Sequence, residues 1–154
     1  KREMERAGRY GQVFSIIMID VDHLKRYNDK HGHLGGSELL RQLAGILSRY
    51  SRAIDLVAKY GGDEFLIILP QTRLEGAYSM ANRLRIAVAE TPFPHSKPGD
   101  LTISVGVASF PQHGDTVKSL VASADAALFK AKRRSRNCVV AAEPPGSDDL
   151  SDAA

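Results

Sequence analysis

Apolar residues fall along the chain in two kinds of run. Residues 13–21, VFSIIMIDV, are almost continuously apolar and rich in branched side chains, which predicts a strand buried on both faces. The strand closes on two acids, Asp20 and Asp22. Residues 24–30 predict a short helix broken at His31-Gly32. Over 34–50, Leu39, Leu43, Ile46, Leu47 and Tyr50 recur at helical spacing. Residues 56–60 and 65–69 are two short apolar strands around Gly61-Gly62-Asp63-Glu64, a hairpin pattern that Pro70 closes. Helical periodicity returns over 72–90, through Leu74, Ala77, Tyr78, Ala81, Leu84 and Val88. It recurs over 116–133, through Val117, Leu120, Val121, Ala124, Leu128 and Ala131. Between them lie a loop with three prolines at 91–100 and an alternating strand at 101–110. A last strand is expected at 138–141. The order is strand, helices, hairpin, helix, strand, helix, strand. It predicts one α/β (α+β) domain in which helices cover a mixed sheet.

Length and composition agree with that reading and exclude other classes. The 154 residues suit one domain, and no internal repeat is visible. Uninterrupted apolar runs such as Ile16 to Ile19 and Phe65 to Leu69 are far too short to span a membrane. Residues 1–13 are charged and polar, unlike a signal peptide, so a cytoplasmic location is expected. Lys1 to Ala7 reads as the middle of a helix without an N-cap, ending at Gly8 and Gly11, as in a fragment of a longer protein. The lone Cys138 permits no internal disulfide or Cys-based zinc site and is expected to pack as a small apolar residue.

Charge is unevenly spread. All 21 Lys and Arg lie within residues 1–140 together with 14 of the 18 acids, so that part carries +7. Beyond it come Glu143, Asp148, Asp149 and Asp152. The domain is therefore placed at 1–141, with 142–154 as a disordered acidic tail. A basic domain suits a polyanionic partner, without saying which. No stacking-aromatic stripe or known motif supports nucleic acid.

Asp20 ends a buried strand, and Asp63 and Glu64 sit on a hairpin tip. If the hairpin neighbours that strand, three carboxylates meet at one end of the sheet. Buried carboxylates without counter-charge are costly. A hard divalent cation shared with phosphates would supply it. The alternative is a solvated loop beside an ordinary strand end. Gly61 and Gly62 would let backbone and a bulky ligand come close.

Lys59-Tyr60-Gly61-Gly62-Asp63-Glu64-Phe65 resembles the signature of the GGDEF family, the diguanylate cyclases. Asp20-Val21-Asp22-His23-Leu24-Lys25 resembles that family's D-x-D-x-x-K segment, Tyr27-Asn28-Asp29 its I-N-D, and Gly32-His33 its G-H. Ala124-Asp125-Ala126-Ala127-Leu128-Phe129 with Ala131-Lys132 resembles its A-D-x-A-L-Y-x-A-K. The family's leading L-T-G-L-x-N-R-R segment is missing. The resemblance, over residues 4 to 140, implies a fold like the nucleotidyl cyclases and polymerase palms. It implies two Mg²⁺ (or Mn²⁺) ions held by Asp20, the Val21 carbonyl, Asp63 and Glu64, with Glu64 alternatively helping to deprotonate the attacking hydroxyl. It also implies a triphosphate met by His23 and Leu24 amides, Lys25, Lys132 and Arg136, and a base read by Asn28. For Lys132 and Arg136 the plainer reading is a basic helix end complementing its dipole. The implied reaction joins two nucleotides, one per domain, so a homodimer is required. An upstream sensory domain is expected, and contact of this domain with nucleic acid or membrane is not.

One position departs from the family. After Gly-His the pattern is G-H-x-x-G-D, and here it reads Gly32-His33-Leu34-Gly35-Gly36-Ser37. A carboxylate accepts from guanine N1–H and N2–H₂ but repels the adenine N1 lone pair, whereas a hydroxyl both donates and accepts. One good bidentate base contact is worth about 1–3 kcal/mol, or about 10- to 150-fold in selectivity. Ser37 thus resembles the hybrid promiscuous subgroup, which uses GTP and ATP and makes 3′,3′-cyclic GMP-AMP beside cyclic di-GMP. The other readings are a GTP-only cyclase, or a helix N-cap role for Ser37. Arg52-Ala53-Ile54-Asp55, with Arg83, resembles the family's R-x-x-D product-inhibition site. Its plainer reading is a surface ion pair. A non-catalytic cyclic dinucleotide receptor using only that site is the rival class. His31, His33 and His95 are not at metal-cluster spacing.

Overall fold

The computed structural model describes residues 13–144. The expected helix over residues 1–9 and the tail from residue 145 lie outside that range. Strand β1 (Phe14–Val21) leads into α1 (Leu24–Tyr50), and β2 (Leu56–Lys59) and β3 (Glu64–Pro70) form the hairpin. Then come α2 (Leu74–Ala89), β4 (Ile103–Phe110), α3 (Val117–Arg134) and β5 (Val139–Ala141). The sheet runs β2-β3-β1-β4-β5, antiparallel except for the parallel β4–β5 pair.

β1 lies in the middle of the sheet and is buried along all eight residues, which explains its almost continuous apolar run. Its odd residues Ile17, Ile19 and Val21 join a core with α1 and α2. Its even residues Phe14, Ile16 and Met18 join a second core with Leu120, Ala124 and Leu128 of α3. The domain is therefore a three-layer sandwich: α1 and α2 on one face, the sheet, then α3 on the other. Thr116 caps α3 by a capping box with Ser119.

The break expected at His31-Gly32 is present as a kink within α1: Gly32 is non-helical, at φ 78° and ψ 170°, between two helical stretches. The segment 91–100 is a loop, as expected, and it is anchored: Phe93 is fully buried and Pro94 O accepts a hydrogen bond from the Tyr27 hydroxyl at 2.7 Å. The acidic tail does not begin at residue 142, since Ala142 N donates to Val107 O and Glu143 pairs with Lys130 at 3.5 Å. Cys138 behaves as expected and packs beside Ala131 and Val140.

Candidate active site at the carboxyl end of β1

Sheet register brings the acids together. Asp20 on β1 stands opposite Glu64 on β3, and Asp63 precedes Glu64 on the hairpin turn. Because β1 and β3 are neighbours, the hairpin tip lies at the same end of the sheet as Asp20. Strand alternation then aims Asp20 and Glu64 at the α3 layer. Asp20 is 5% exposed, and the Lys132 ammonium of α3 contacts its Oδ2. Its Oδ1 is buried with no hydrogen-bond partner. Burial, followed by repulsion from Asp125 and Asp63, holds the Glu64 carboxyl above its ordinary range. Burial, and then Arg136, push the Lys132 ammonium down.

Among the described residues no three His, Cys, Asp or Glu side chains are drawn together as a metal-ligand set. The chemistry of the site still fits a hard divalent cation. It has a buried carboxylate oxygen without a partner and a second carboxylate destabilised by its acidic neighbours.

On the other side of the hairpin a cleft of about 520 Å³ opens toward α1. Its lining includes Lys25, Asn28, Ser37, Lys59, Gly62 and Asp63. The expected base readers Asn28 and Ser37 thus share one cleft with the hairpin tip and with Lys25. Asn28 Oδ1 is buried and has no partner. It is admitted by Gly36, where a Cβ would sit 1.8 Å from that oxygen. Ser37 is exposed and lies inside the helix beyond the Gly32 kink, so it is not an N-cap. His23 and Leu24 open α1, with His23 left-handed at φ 59° and no acid in the first turn. Their end of the helix presents backbone N–H groups suited to an anion.

Arg136 sits in the turn after α3 and is exposed. Arg52 and Asp55 form a tight turn, in which Asp55 N donates to Arg52 O and Arg52 Nη2 reaches Asp55 Oδ1 at 2.8 Å. The same guanidinium donates to Pro70 O and Thr72 Oγ1, and the Asp55 side chain is fully buried. This ion pair is therefore a clamp between the start of β2 and the end of β3, more than the surface pair of the plainer reading. Arg83, on exposed α2 surface, donates to Ser79 and makes no bond to Arg52 or Asp55.

Residues that sequence reasoning passed over include Gly36, Lys59 and Asp125, which line or polarise the site, and Asp22. A second carboxylate two positions after Asp20 was the available sign for Asp22, since alternation sets both on one face.

The sequence profile described as "Diguanylate cyclase, GGDEF domain" matches residues 1–138. The chain belongs to the GGDEF family. It is 40% identical over 140 residues to response regulator PleD of Caulobacter vibrioides, covering 89% of this chain and 31% of PleD. It is 38% identical over 139 residues to diguanylate cyclase DgcP of Pseudomonas aeruginosa, covering 89% of this chain and 20% of DgcP. The chain thus spans a third or less of these curated relatives. Among solved structures, the active GGEEF domain of a Vibrio cholerae diguanylate cyclase superposes with a TM-score of 0.87 at 32% identity, covering 93% of this chain and 91% of that one. The GGDEF domain of DgcB from Caulobacter crescentus, in complex with c-di-GMP, gives 0.83 at 30% identity, covering 91% and 84%. The mixed α/β fold read from the sequence is that of GGDEF domains. No described helix is long and apolar enough to cross a membrane.

Proposed function

We propose that this GGDEF domain condenses two nucleoside triphosphates into a 3′,3′-cyclic dinucleotide, releasing pyrophosphate, and that it accepts ATP beside GTP. It would make cyclic GMP-AMP together with cyclic di-GMP, working as a homodimer in the cytoplasm under a sensory domain. The observation that carries the reading is Ser37 lining one cleft with Asn28, at the position where the family has Asp. The Asn28 carbonyl accepts an N–H, which both guanine and adenine offer. The Ser37 hydroxyl accepts from guanine N1–H or donates to adenine N1, so the pair does not reject either base.

In the reaction the 3′-oxygen of one nucleotide attacks the α-phosphorus of the other. Lys25, Lys132, Arg136 and the amides of His23 and Leu24 would hold the triphosphate and offset its charge. Two Mg²⁺ or Mn²⁺ ions held by Asp20, the Val21 carbonyl, Asp63 and Glu64 would stabilise the attacking and leaving oxygens. Glu64, whose proton affinity is raised, can take the 3′-hydroxyl proton as that oxygen attacks. Arg52, Asp55 and Arg83 would form the product-inhibition site.

The test incubates the domain, joined to a dimerising coiled coil, with Mg²⁺, GTP and ATP, and resolves products by mass spectrometry. A mixture containing cyclic GMP-AMP is expected, and Ser37→Asp should move it toward cyclic di-GMP. Cyclic di-GMP alone from the unmodified domain would leave a GTP-specific cyclase. Absence of pyrophosphate release would leave the receptor reading.

A further inference from the structure

Asp22 is 3% exposed and lies just past the end of β1. Its Oδ1 accepts from Ser104 Oγ at 2.6 Å, and its Oδ2 from Thr102 Oγ1 at 2.7 Å and from the Asn137 backbone N–H at 3.0 Å. Its own N–H donates to Thr102 O at 2.9 Å. A buried anion here is held by three neutral donors, two from the start of β4 and one from the turn joining α3 to β5.

That turn is unusual. Arg136 and Asn137 are consecutive left-handed residues, at φ 52° and 45°, and both carry a Cβ. Such conformations persist only where the surroundings over-determine them. Arg136 N donates to Ala131 O at 3.0 Å, and Arg85 Nη1 donates to Asn137 Oδ1 at 3.3 Å. The Asn137 N–H is spent on Asp22. Arg136 is thus fastened on both sides while its guanidinium stays exposed. Lys132, one turn earlier, is tied to Asp20. At the end of β1, Asp20 thus holds Lys132 directly, and Asp22, two positions on, holds the turn that carries Arg136.

We infer that Asp22 is a positioning residue for the phosphate site: through the Asn137 N–H it fixes the left-handed turn that aims Arg136 at the substrate triphosphate. This rests on the reading of Arg136 as a phosphate ligand given above. Asp22 touches no substrate and does no chemistry. Its carboxylate matters because an ionised acceptor makes a hydrogen bond about twice as strong as a neutral one, and an asparagine amide in its place is neutral and keeps one accepting oxygen in place of two for the Asn137 N–H and the two hydroxyls.

The experiment measures binding of GTP and of guanosine, in Mg²⁺, to the wild type, Asp22→Asn, Ser104→Ala, Arg136→Ala and Asp22→Asn/Arg136→Ala. Circular dichroism checks that each is folded. Arg136→Ala should weaken GTP about tenfold, as expected for one charged hydrogen bond lost. Asp22→Asn should weaken GTP comparably and leave guanosine unchanged, and the double variant should be no weaker than Arg136→Ala alone. Ser104→Ala, which keeps the carboxylate and removes one donor, should act in the same direction with a smaller loss, and carries the test if Asp22→Asn does not fold. If Arg136→Ala binds GTP like the wild type, the phosphate reading beneath the proposal is wrong. If Arg136→Ala is weaker but folded Asp22→Asn and Ser104→Ala bind GTP normally, or lose guanosine equally, the positioning role is overturned.

Discussion

Helix α3 carries Lys132 and leads into the turn that carries Arg136, and it lies on β4 at a point where no side chain intervenes. At Gly106 a Cβ would stand 2.2 Å from Ala124 O and 2.5 Å from Leu128 N. Both are backbone atoms of α3, so no rotamer change relieves the clash. Ordinary contact begins near 3.4 Å, so Gly106→Ala requires α3 to withdraw by about 1.2 Å. The helix packs Leu120, Ala124 and Leu128 onto Phe14, Ile16, Met18, Ala108 and Phe110. A gap of that size forfeits about a quarter to a half of each affected dispersion contact. Overpacking of this kind costs about 1–3 kcal/mol, and a clash against backbone at two positions of one helix belongs at the top of that range. The midpoint of thermal unfolding should fall by about 6–12 °C. Gly45 supplies the internal control. It is an exposed residue of α1 with nothing within 4 Å of where an added methyl would stand, so Gly45→Ala should stabilise by about 0.5–1 kcal/mol through helix propensity. Urea unfolding followed by far-UV circular dichroism measures both, with unchanged m-values as the sign that stability alone has moved. If Gly106→Ala stays within about 0.5 kcal/mol of wild type, α3 does not seat on β4 at the distance described.

Gly36→Ala should displace Asn28, because the new methyl would lie 1.8 Å from its Oδ1, and nucleotide affinity should fall as far as in Asn28→Ala; unchanged affinity would separate Gly36 from the base site. Lys132→Met leaves the buried Asp20 carboxylate without its cation and should cost about 3 kcal/mol in chelator, a loss that added Mg²⁺ should partly reverse in thermal scans if the acids bind metal. His113 is 1% exposed, accepts from Ser109 N through Nδ1, and has its pKa lowered by burial. The unfolded chain therefore takes up a proton near pH 6.5 that the folded one still refuses, so stability should drop as pH falls below about 6.5. His113→Asn should flatten that dependence in urea titrations at pH 7.5 and 5.5, and an equally steep variant would refute it.

The membership of the family and the order of elements were legible in the one-dimensional pattern, and for a physical reason. β1 is buried on both faces, so its residues are apolar up to Asp20 except for Ser15, whose hydroxyl is hydrogen-bonded. The hairpin turn needed glycine at Gly61, where φ is 150°. Such local demands leave marks in composition and spacing. Asp20, Asp63 and Glu64 carry such marks too, because they lie at the end of β1 and on the hairpin turn.

What spacing could not show was partnership across the sheet. Asp20 and Glu64 are 44 positions apart and meet only because β1 and β3 are antiparallel neighbours in register. Lys132, read as a phosphate ligand, turns out to face Asp20, since α3 covers the even face of β1. Arg52 and Asp55 looked like an exposed pair, yet the packing of β3 against β2 buries Asp55 and gives Arg52 two further acceptors. Asp22 carried no mark beyond its alternation with Asp20. Its donors come from residues 102, 104 and 137, which nothing along the chain connects and which the closing of α3 over the sheet brings to one carboxylate.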